Sequence, residues 1–408
     1  MTDKQKLIYR IIIIILVLVL VGELIYFGVK IYLNRKESTF YTVINSVVLE
    51  NENNYIGVGS SDYRYSKFNK YDEGYEKATI FEIENGEIVK EVGVLKGIAG
   101  RYNDVVKTSD GYIAVGRMEM TKKQHEEKMS EAVIAKYDEN LKLLWRKNLS
   151  ILEKTEFKRV KLDGDDIVVV GTSVYSDGYI GNHTTGGGIL LKYDKDGKEK
   201  LRVNNGGPYS GSFNDFIIEK DYYVVAGLGK ANSGIIIKYD KKGNKISSGS
   251  FGYTDKSGIN GIAKKGDNYV VATTKVVNPK ELSNYSAAIV EFNSKLKEVD
   301  NVKYTSSDIN YFNDIEVDND NNIIVCGYTG EPKYGAMSSD AVIVKYDKDL
   351  YEKESDFIRG NKNDFYSHIY LKDDSIYILG YSNSKLKEYK VNGYDYSTLL
   401  RKYSNDLK

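Results

Sequence analysis

The stretch "FNDIEVDNDNNIIVCGYTG" (312–330), followed by "SSDAVIVKYDKDL" (338–350), contains the landmarks of a unit that the chain repeats seven times. In each unit a short apolar strand ends in glycine, or once in threonine, at Gly59, Gly116, Gly171, Gly227, Thr273, Gly327 and Gly380. These positions follow one another at spacings of 46 to 57 residues. A period of about 40 to 50 residues, with four short strands per unit, is typical of a β-propeller.

Two further landmarks recur with the glycine. A later strand runs into a Lys-Tyr-Asp turn, as in "AVIVKYDKDL" (341–350), and similar or weaker copies lie at 78–87, 132–141, 188–197, 234–243, 287–296 and 398–407. An earlier strand carries one polar position, held by Asn45, Asn103, Lys158, Asn214, Asn260, Asn313 and Ser367. We therefore predict four strands per blade, with the strand that bears the asparagine innermost.

The repeat predicts an all-β, seven-bladed propeller over residues 37–408, with blades near 44–98, 99–153, 154–209, 210–255, 256–308, 309–362 and 363–408. The seventh unit stops directly after the turn that ends its third strand. We expect Glu37–Val43 ("ESTFYTV") to supply the fourth strand of that blade. Such closure removes a sheet edge that would otherwise invite aggregation.

An apolar segment precedes the repeats. Ile11–Val29 is 19 residues long and contains one charged residue, Glu23. A segment of this length can cross a bilayer as one helix. A cleavable signal peptide is the alternative, but no small-residue cleavage motif follows the apolar run. We therefore expect an uncleaved transmembrane helix over 11–29, between a short basic tail (1–10) and a linker (30–36).

The orientation of this helix follows from the charges that flank it. Lys4, Lys6 and Arg10 precede the apolar segment, and a short positive leader usually stays in the cytoplasm. We therefore expect the propeller to lie outside the cytoplasm. Glu23 either has a function within the membrane or extends to its surface.

The composition limits the possible functions. The 58 basic and 58 acidic residues give no net charge, so no basic surface for nucleic acid is predicted. The single cysteine, Cys326, excludes an internal disulfide and is expected to be buried. The three histidines, His125, His183 and His368, belong to no known catalytic motif. We predict no catalytic residue, no metal site and no cofactor.

Structural calcium is a weaker possibility. The segments "DKDG" (194–197) and "DNDNN" (318–322) resemble fragments of calcium-binding loops, but both lack the full ligand spacing. Aspartate and asparagine favour tight turns in any protein, so we interpret both segments as turns.

The loops between the second and third strands are long and variable. They span 60–77, 117–131, 172–187, 274–286 and 328–339, and they are rich in Tyr, Ser, Gly and Asn. This composition suits binding surfaces, because tyrosine provides rigid contacts and the small polar residues provide adaptable hydrogen bonds. We predict that this face binds a protein or a glycan through Tyr63, Tyr65, Tyr175, Tyr179 and Tyr334.

The unit at 312–350 resembles the bacterial β-propeller repeat called SBBP, which occurs in secreted and surface-attached proteins, and the resemblance extends to all seven units. It implies a propeller in an extracytoplasmic setting. It carries no catalytic residues.

Three functional hypotheses remain. The chain is a membrane-anchored recognition or scaffold module, or a carbohydrate-active hydrolase or lyase with a carboxylate pair near the central channel, or a non-catalytic accessory subunit of an envelope assembly. A buried, convergent acidic cluster in the channel would favour the enzyme. An exposed aromatic patch would favour the recognition module.

Overall fold

The computed structural model describes residues 42–62, 76–94, 97–175, 186–205, 211–229, 233–251, 258–276, 285–333, 336–360, 363–382 and 397–407. Within these ranges, antiparallel sheets follow one another as the blades of a seven-bladed propeller. Six blades have four strands each, and the seventh has three described strands. The predicted all-β propeller is therefore confirmed.

The first three blades contain β1 to β12. Blade 1 consists of β1 (Thr42–Leu49), β2 (Asn54–Asp62), β3 (Glu76–Glu84) and β4 (Glu87–Gly93). Blade 2 consists of β5 (Ala99–Thr108), β6 (Gly111–Glu119), β7 (Glu131–Tyr137) and β8 (Leu143–Leu149), with a short helix, α1 (Lys122–Glu126), after β6. Blade 3 consists of β9 (Lys154–Asp163), β10 (Asp166–Val174), β11 (Gly187–Tyr193) and β12 (Glu199–Asn205).

The remaining blades contain β13 to β27. Blade 4 consists of β13 (Ser212–Ile218), β14 (Tyr222–Leu228), β15 (Gly234–Asp240) and β16 (Lys245–Phe251). Blade 5 consists of β17 (Ile259–Lys265), β18 (Asn268–Val276), β19 (Tyr285–Phe292) and β20 (Glu298–Tyr304). Blade 6 consists of β21 (Ile309–Val317), β22 (Ile323–Lys333), β23 (Ala336–Tyr346) and β24 (Glu352–Ile358). Blade 7 consists of β25 (Asp364–Lys372), β26 (Ser375–Ser382) and β27 (Ser397–Ser404).

The hydrophobic core lies between the faces of neighbouring blades. The middle strands are buried on both faces, because each blade packs against one neighbour on either side; Val168 and Val170 of β10, for example, contact a cluster that includes Phe216 and Val225 of blade 4. The outermost strands are far more exposed, as β20 shows. Cys326 is buried in such a cluster, as predicted.

The landmark glycine of six blades lies opposite a β-bulge. In every blade the pairing of the first two strands slips by one residue at the recurring polar position, which is Asn313 in blade 6. The bulge brings the first strand close to the glycine, so that a Cβ atom at Gly327 would lie 1.8 Å from the carbonyl oxygen of Tyr311. Blade 5 has Thr273 at this place, and its hydroxyl donates to the carbonyl of Gly258 at 3.0 Å.

The Lys-Tyr-Asp turns have a common structure. The aspartate side chain accepts two backbone N–H groups of its own turn, as Asp347 does from Asp349 (2.9 Å) and Tyr351 (2.9 Å). The two segments that resemble calcium loops have the same structure, with Asp194 and Asp318 as the acceptors. Both segments therefore form tight turns.

Blade 7 contacts blade 1 and completes the ring. The hydroxyl of Tyr370 accepts the backbone N–H of Val47 at 3.0 Å. The Nζ of Lys372 donates to the carbonyl oxygens of Leu49 (2.9 Å) and Glu50 (3.0 Å).

The amino-terminal predictions lie mostly outside the described residues. Thr42 and Val43 pair with Ser61 and Ser60 in blade 1, so the expected closing strand cannot extend as far as Val43. The rest of that segment, and the whole of Ile11–Val29, are not described, so both remain predictions. Among the residues that the structure does describe, no helix has the length and hydrophobicity needed to cross a membrane.

The closing strand can be tested by truncation. We predict that a protein beginning at Thr42 aggregates or melts at a lower temperature than one beginning at Lys36, because β27 then has a free edge. Thermal denaturation and size-exclusion chromatography of both proteins measure this. Equal melting temperature and solubility would show that residues 37–41 contribute no strand.

Candidate functional site at the mouth of the central channel

A ring of side-chain hydrogen bonds joins the innermost strands. The amide of the bulged asparagine donates to a backbone carbonyl of the next blade, at 2.6 or 2.7 Å in every case. The pairs are Asn45 with Tyr102, Asn103 with Phe157, Asn214 with Ile259, Asn260 with Phe312, and Asn313 with Tyr366. A β-bulge is suited to this because it redirects the side chain of the extra residue.

The two blades without an asparagine preserve the ring by other means. In blade 3 the Nζ of Lys158 donates to the Oδ1 of Asn214 at 2.6 Å. Between blades 7 and 1 the hydroxyl of Tyr381 donates to the carbonyl of Ile44 at 2.9 Å. We call these seven residues (Asn45, Asn103, Lys158, Asn214, Asn260, Asn313 and Tyr381) the asparagine ring.

Charged residues follow directly beneath the asparagine ring. The residue after each bulge belongs to a layer that we call the channel floor: Ser46, Asp104, Arg159, Asp215, Gly261, Asp314 and His368. Its three aspartates each accept a backbone N–H of the next blade, from Val160 (2.9 Å), Ile262 (3.1 Å) and Ile369 (2.9 Å) respectively. These carboxylates therefore join neighbouring blades.

Arg159 crosses the axis of the propeller. Its Nη2 lies 3.4 Å from the Oδ1 of Asp314, although Arg159 belongs to blade 3 and Asp314 to blade 6. Burial alone would lower the pKa of Arg159, but the charges of Asp314, Asp215 and Asp104 raise it. The guanidinium therefore stays charged, and the Arg159–Asp314 pair spans the axis at this level.

Burial also sets the protonation of Asp314 and His368 in the floor and of the nearby Glu316. It raises the pKa of Asp314 to about 6, although Arg159 acts in the opposite direction. It raises the pKa of Glu316, two residues further along β21, to about 8, and the charge of Asp314 adds to this. Burial and the charge of Arg159 lower the pKa of His368 far below its usual value. At neutral pH Glu316 is therefore mostly protonated and His368 is uncharged.

Above the asparagine ring lies a layer that we call the upper tier, which faces the two-to-three loops. It consists of the residue two places before each bulge and its partner on the second strand. The described pairs are Val43/Ser60, Arg101/Arg117, Glu156/Thr172, Ser212/Leu228, Tyr311/Tyr328 and Phe365/Tyr381. The tier is therefore charged in blades 2 and 3 and aromatic in blades 6 and 7.

The charged side contains three cations and one carboxylate. The Nη2 of Arg101 lies 3.1 Å from the Oε1 of Glu156, which also accepts the amide of Asn103 at 2.8 Å. Burial alone would raise the pKa of Glu156, but Arg101, Lys158, Asn103 and Arg117 together lower it. Burial lowers the pKa of Lys158. Glu156 is therefore ionised and shared among several cationic groups.

The aromatic side is a continuous row of rings. Tyr311 and Tyr328 stack with ring centroids 4.9 Å apart and an interplanar angle of 14°. Phe365 lies 6.1 Å from Tyr328 and 5.4 Å from Tyr381. The hydroxyl of Tyr381 also closes the asparagine ring, so this row is held rigidly by the innermost strands.

The predicted site residues are only partly placed. Tyr175 follows the end of β10 and is 41% exposed. Tyr63, Tyr65, Tyr179 and Tyr334 lie outside the described residues, as does His183. His125 lies in α1, and its Nδ1 is 2.5 Å from the Oε2 of Glu119. The five tyrosines therefore remain predictions.

Sequence reasoning did not find the upper tier or the channel floor. Both layers nevertheless occupy fixed places in the repeat. The floor residue directly follows each bulged residue, and the second-strand residue of each upper-tier pair directly follows each landmark glycine. The repeat does not reveal that side chains of blades 3 and 6, Arg159 and Asp314, meet at the axis. Among the described residues, no group of three or more His, Cys, Asp or Glu side chains is placed to hold a metal ion.

Comparison with known proteins finds only distant structural likenesses. No protein-family model and no curated protein matches this chain. Similar solved structures include Sqt1 from Chaetomium thermophilum, with 10% identity, coverage of 89% of this chain and 97% of that chain, and a TM-score of 0.45. The β-propeller domain of the Trilobed protease from Pyrococcus furiosus has 10% identity, coverage of 90% and 98%, and a TM-score of 0.43. A putative 6-phosphogluconolactonase from Bacteroides uniformis has 12% identity, coverage of 88% and 98%, and a TM-score of 0.47.

These likenesses are too distant to carry an argument about ligand or activity. The propeller is established by the sheets themselves. The resemblance to the SBBP repeat remains a prediction.

The role of Arg159 can be tested by denaturation. We predict that Arg159→Leu lowers the free energy of unfolding at pH 7 by about 3–5 kcal/mol, because buried carboxylates lose their counter-charge. Arg202→Leu, at an exposed arginine of β12, is the control. Adding Asp314→Asn to Arg159→Leu should restore part of the loss. An Arg159→Leu protein as stable as the control would contradict this account of the floor.

The protonation of Glu316 predicts a pH dependence of stability. Its pKa is about 8 in the folded protein against an ordinary 4.5, so its contribution is complete below about pH 4.5 and is lost as the pH rises to about 8. Glu316→Gln cannot ionise. We predict that it is more stable than the native protein at pH 8.5, by at least about 1 kcal/mol, and similar at pH 5.

Chemical denaturation at the two pH values measures this difference, with the exposed Glu87→Gln as control. A Glu316→Gln difference that is the same at both pH values would show that Glu316 does not titrate in this range.

Proposed function

We propose that this protein is a membrane-anchored, extracytoplasmic recognition module whose propeller binds a protein or a glycan. The segment Ile11–Val29 is the anchor, and the face that bears the upper tier and the two-to-three loops is the binding face. The balance of 58 basic and 58 acidic residues makes nucleic acid an unsuitable partner.

The upper tier is the observation that carries this proposal. It places arginines on one side of the channel mouth and a row of tyrosine and phenylalanine rings on the other. Tyrosine and arginine are enriched among the residues that contribute most binding energy at interfaces. The asparagine ring holds these strands in place, so the binding groups lie on a rigid support and lose little entropy when a ligand binds.

The bonding of the floor carboxylates favours binding over catalysis. Asp104 accepts the hydroxyl of Ser46 at 2.6 Å and the N–H of Val160 at 2.9 Å. Asp314 accepts the N–H of Ile369 at 2.9 Å and pairs with Arg159. Both oxygens of each carboxylate therefore have partners within the fold.

A glycan-active hydrolase or lyase is the second candidate, and one observation favours it. The floor and the nearby Glu316 form a buried acidic cluster, in which the pKa values of Asp314 and Glu316 differ, at about 6 and about 8. Two carboxyl groups with separated pKa values are typical of an acid–base pair. Release of new reducing or unsaturated ends from glycans, lost in Glu316→Gln, would support this candidate over the recognition module.

The ligand can be sought with a glycan array and with a pull-down from envelope extract. Protease added to intact cells tests the orientation, because cleavage in the loops requires an external propeller. Full protection until lysis would contradict the extracytoplasmic placement.

The predicted contact residues can be tested once a ligand is found. We predict that Tyr63→Ala, Tyr65→Ala, Tyr175→Ala, Tyr179→Ala and Tyr334→Ala each weaken binding roughly thirtyfold, since truncating an aromatic anchor costs about 2 kcal/mol. The melting temperature should barely change, because the loss of an exposed side chain costs only about 0.5 kcal/mol or less.

The matched control is Tyr351→Ala. Tyr351 is 72% exposed and lies beside a Lys-Tyr-Asp turn on the opposite face. Unchanged affinity in all five loop variants would exclude these tyrosines as contacts, and a loss in the control would move the site to the other face.

A further inference from the structure

The upper tier contains two arginines that the fold itself does not require. Arg101 and Arg117 are directly opposite each other on β5 and β6. Directly opposed residues of an antiparallel pair have neighbouring side chains, and like charges at such positions are destabilising. Other blades have uncharged pairs at the same place, such as Val43/Ser60 and Ser212/Leu228. The repeat therefore accommodates neutral residues here.

The negative charge near these arginines does not balance them. Among the described residues, Glu156 is the one carboxylate bonded to Arg101, and it also lies close enough to Lys158 and Arg117 for their charges to lower its pKa. Three cations therefore share one carboxylate. The floor carboxylates lie beyond the asparagine ring from the two arginines and are occupied by Arg159 and by backbone N–H groups.

Arg101 also has an unused donor. Its Nε is buried and has no hydrogen-bond partner, while its Nη2 bonds to Glu156. A buried donor without a partner in a native fold requires an explanation, such as a functional role. The side chain as a whole is 42% exposed. A guanidinium offers a planar fork of donors that matches a carboxylate, sulfate or phosphate group.

We propose that Arg101 and Arg117 form an anion-binding subsite that recognises the acidic group of a charged saccharide. This rests on the proposed function, and it adds the ligand class and the residues that select it. The row of rings from Tyr311 to Tyr381 lies on the other side of the mouth, where the sugar ring binds against apolar surface. An acidic peptide is the competing ligand, and a glycan is favoured because the mouth presents aromatic rings opposite the cations.

The test uses the purified full-length protein in detergent and a panel of matched oligosaccharides. The acidic members carry uronate, sulfate or phosphate groups. The neutral members are the same oligosaccharides with these groups reduced or removed, and a Glu/Asp-rich peptide represents the competing class. Affinities are measured by calorimetry for the native protein, Arg101→Met, Arg117→Met and the control Arg202→Met.

We expect the native protein to bind at least one acidic oligosaccharide tenfold or more tightly than its neutral counterpart. Arg101→Met and Arg117→Met should lose most of that preference and retain the affinity for the neutral oligosaccharide. Arg202→Met, which removes an arginine on the outermost strand of blade 3, should behave as the native protein. Thermal denaturation shows whether each variant is folded, and raising the salt concentration should weaken the acidic complex alone.

The other outcomes overturn the proposal in distinguishable ways. Equal binding of acidic and neutral oligosaccharides, unaffected by either arginine variant, refutes the anion subsite but leaves glycan recognition standing. Tighter, arginine-dependent binding of the acidic peptide transfers the site to a protein ligand. If no acidic oligosaccharide binds, the charged-saccharide assignment is wrong, and a ligand captured by pull-down would still support recognition.

Discussion

The hydrogen bond from a bulged side chain to the backbone of the next blade is the interaction on which the rest of this structure depends. Apolar contacts between blades supply most of the burial, but they are not directional and do not fix how far one blade slides against the next. A short side-chain hydrogen bond at each junction, which is an amide–carbonyl bond at five of the seven, does fix that position. The bulge makes the bond possible, and in six blades glycine allows the close approach of the bulged strand, since a Cβ atom there would clash with its backbone.

The channel floor also joins neighbouring blades by hydrogen bonds, one residue after the bulge on each innermost strand. Three aspartates bond to backbone N–H groups of the following blade, and Arg159 compensates their charge, reaching Asp314 across the axis. Buried carboxylates are costly without such compensation. The consequence for function is spatial. Because the Arg159–Asp314 pair spans the axis at the floor, a ligand at this face meets the upper tier and the loops first.

The repeat predicts the architecture well because each landmark is a local requirement. The glycine, the polar bulge position and the Asp of the turn each occupy the same place in most blades, so their spacing shows the blade number and strand order. The closing role of Tyr381 was not predictable, because Ser367 breaks the pattern and the replacement comes from a different strand. The contact of Arg159 with Asp314 was not predictable either, since it joins residues 155 positions apart across the axis.

The sequence predicts a binding face from the length of the two-to-three loops, but it does not predict the candidate site at the channel mouth. The chemistry of the channel mouth lies instead in the residues beside each landmark glycine, where Arg117, Tyr328 and Tyr381 replace small or aliphatic residues of other blades. A search for loops rich in tyrosine does not detect these positions, because they belong to regular strands.

The most direct test of the account is the removal of one bond of the asparagine ring. Asn313→Ala leaves the carbonyl of Tyr366 without its side-chain donor, whereas Asn301→Ala removes an exposed amide on an outermost strand. We predict that Asn313→Ala lowers the free energy of unfolding by about 1–3 kcal/mol, and that Asn301→Ala changes it by less than about 0.5 kcal/mol. Hydrogen exchange should also accelerate in β21 and β25 of Asn313→Ala. Equal stability of the two variants, with unchanged exchange in both strands, would contradict the claim that this ring holds the blades together.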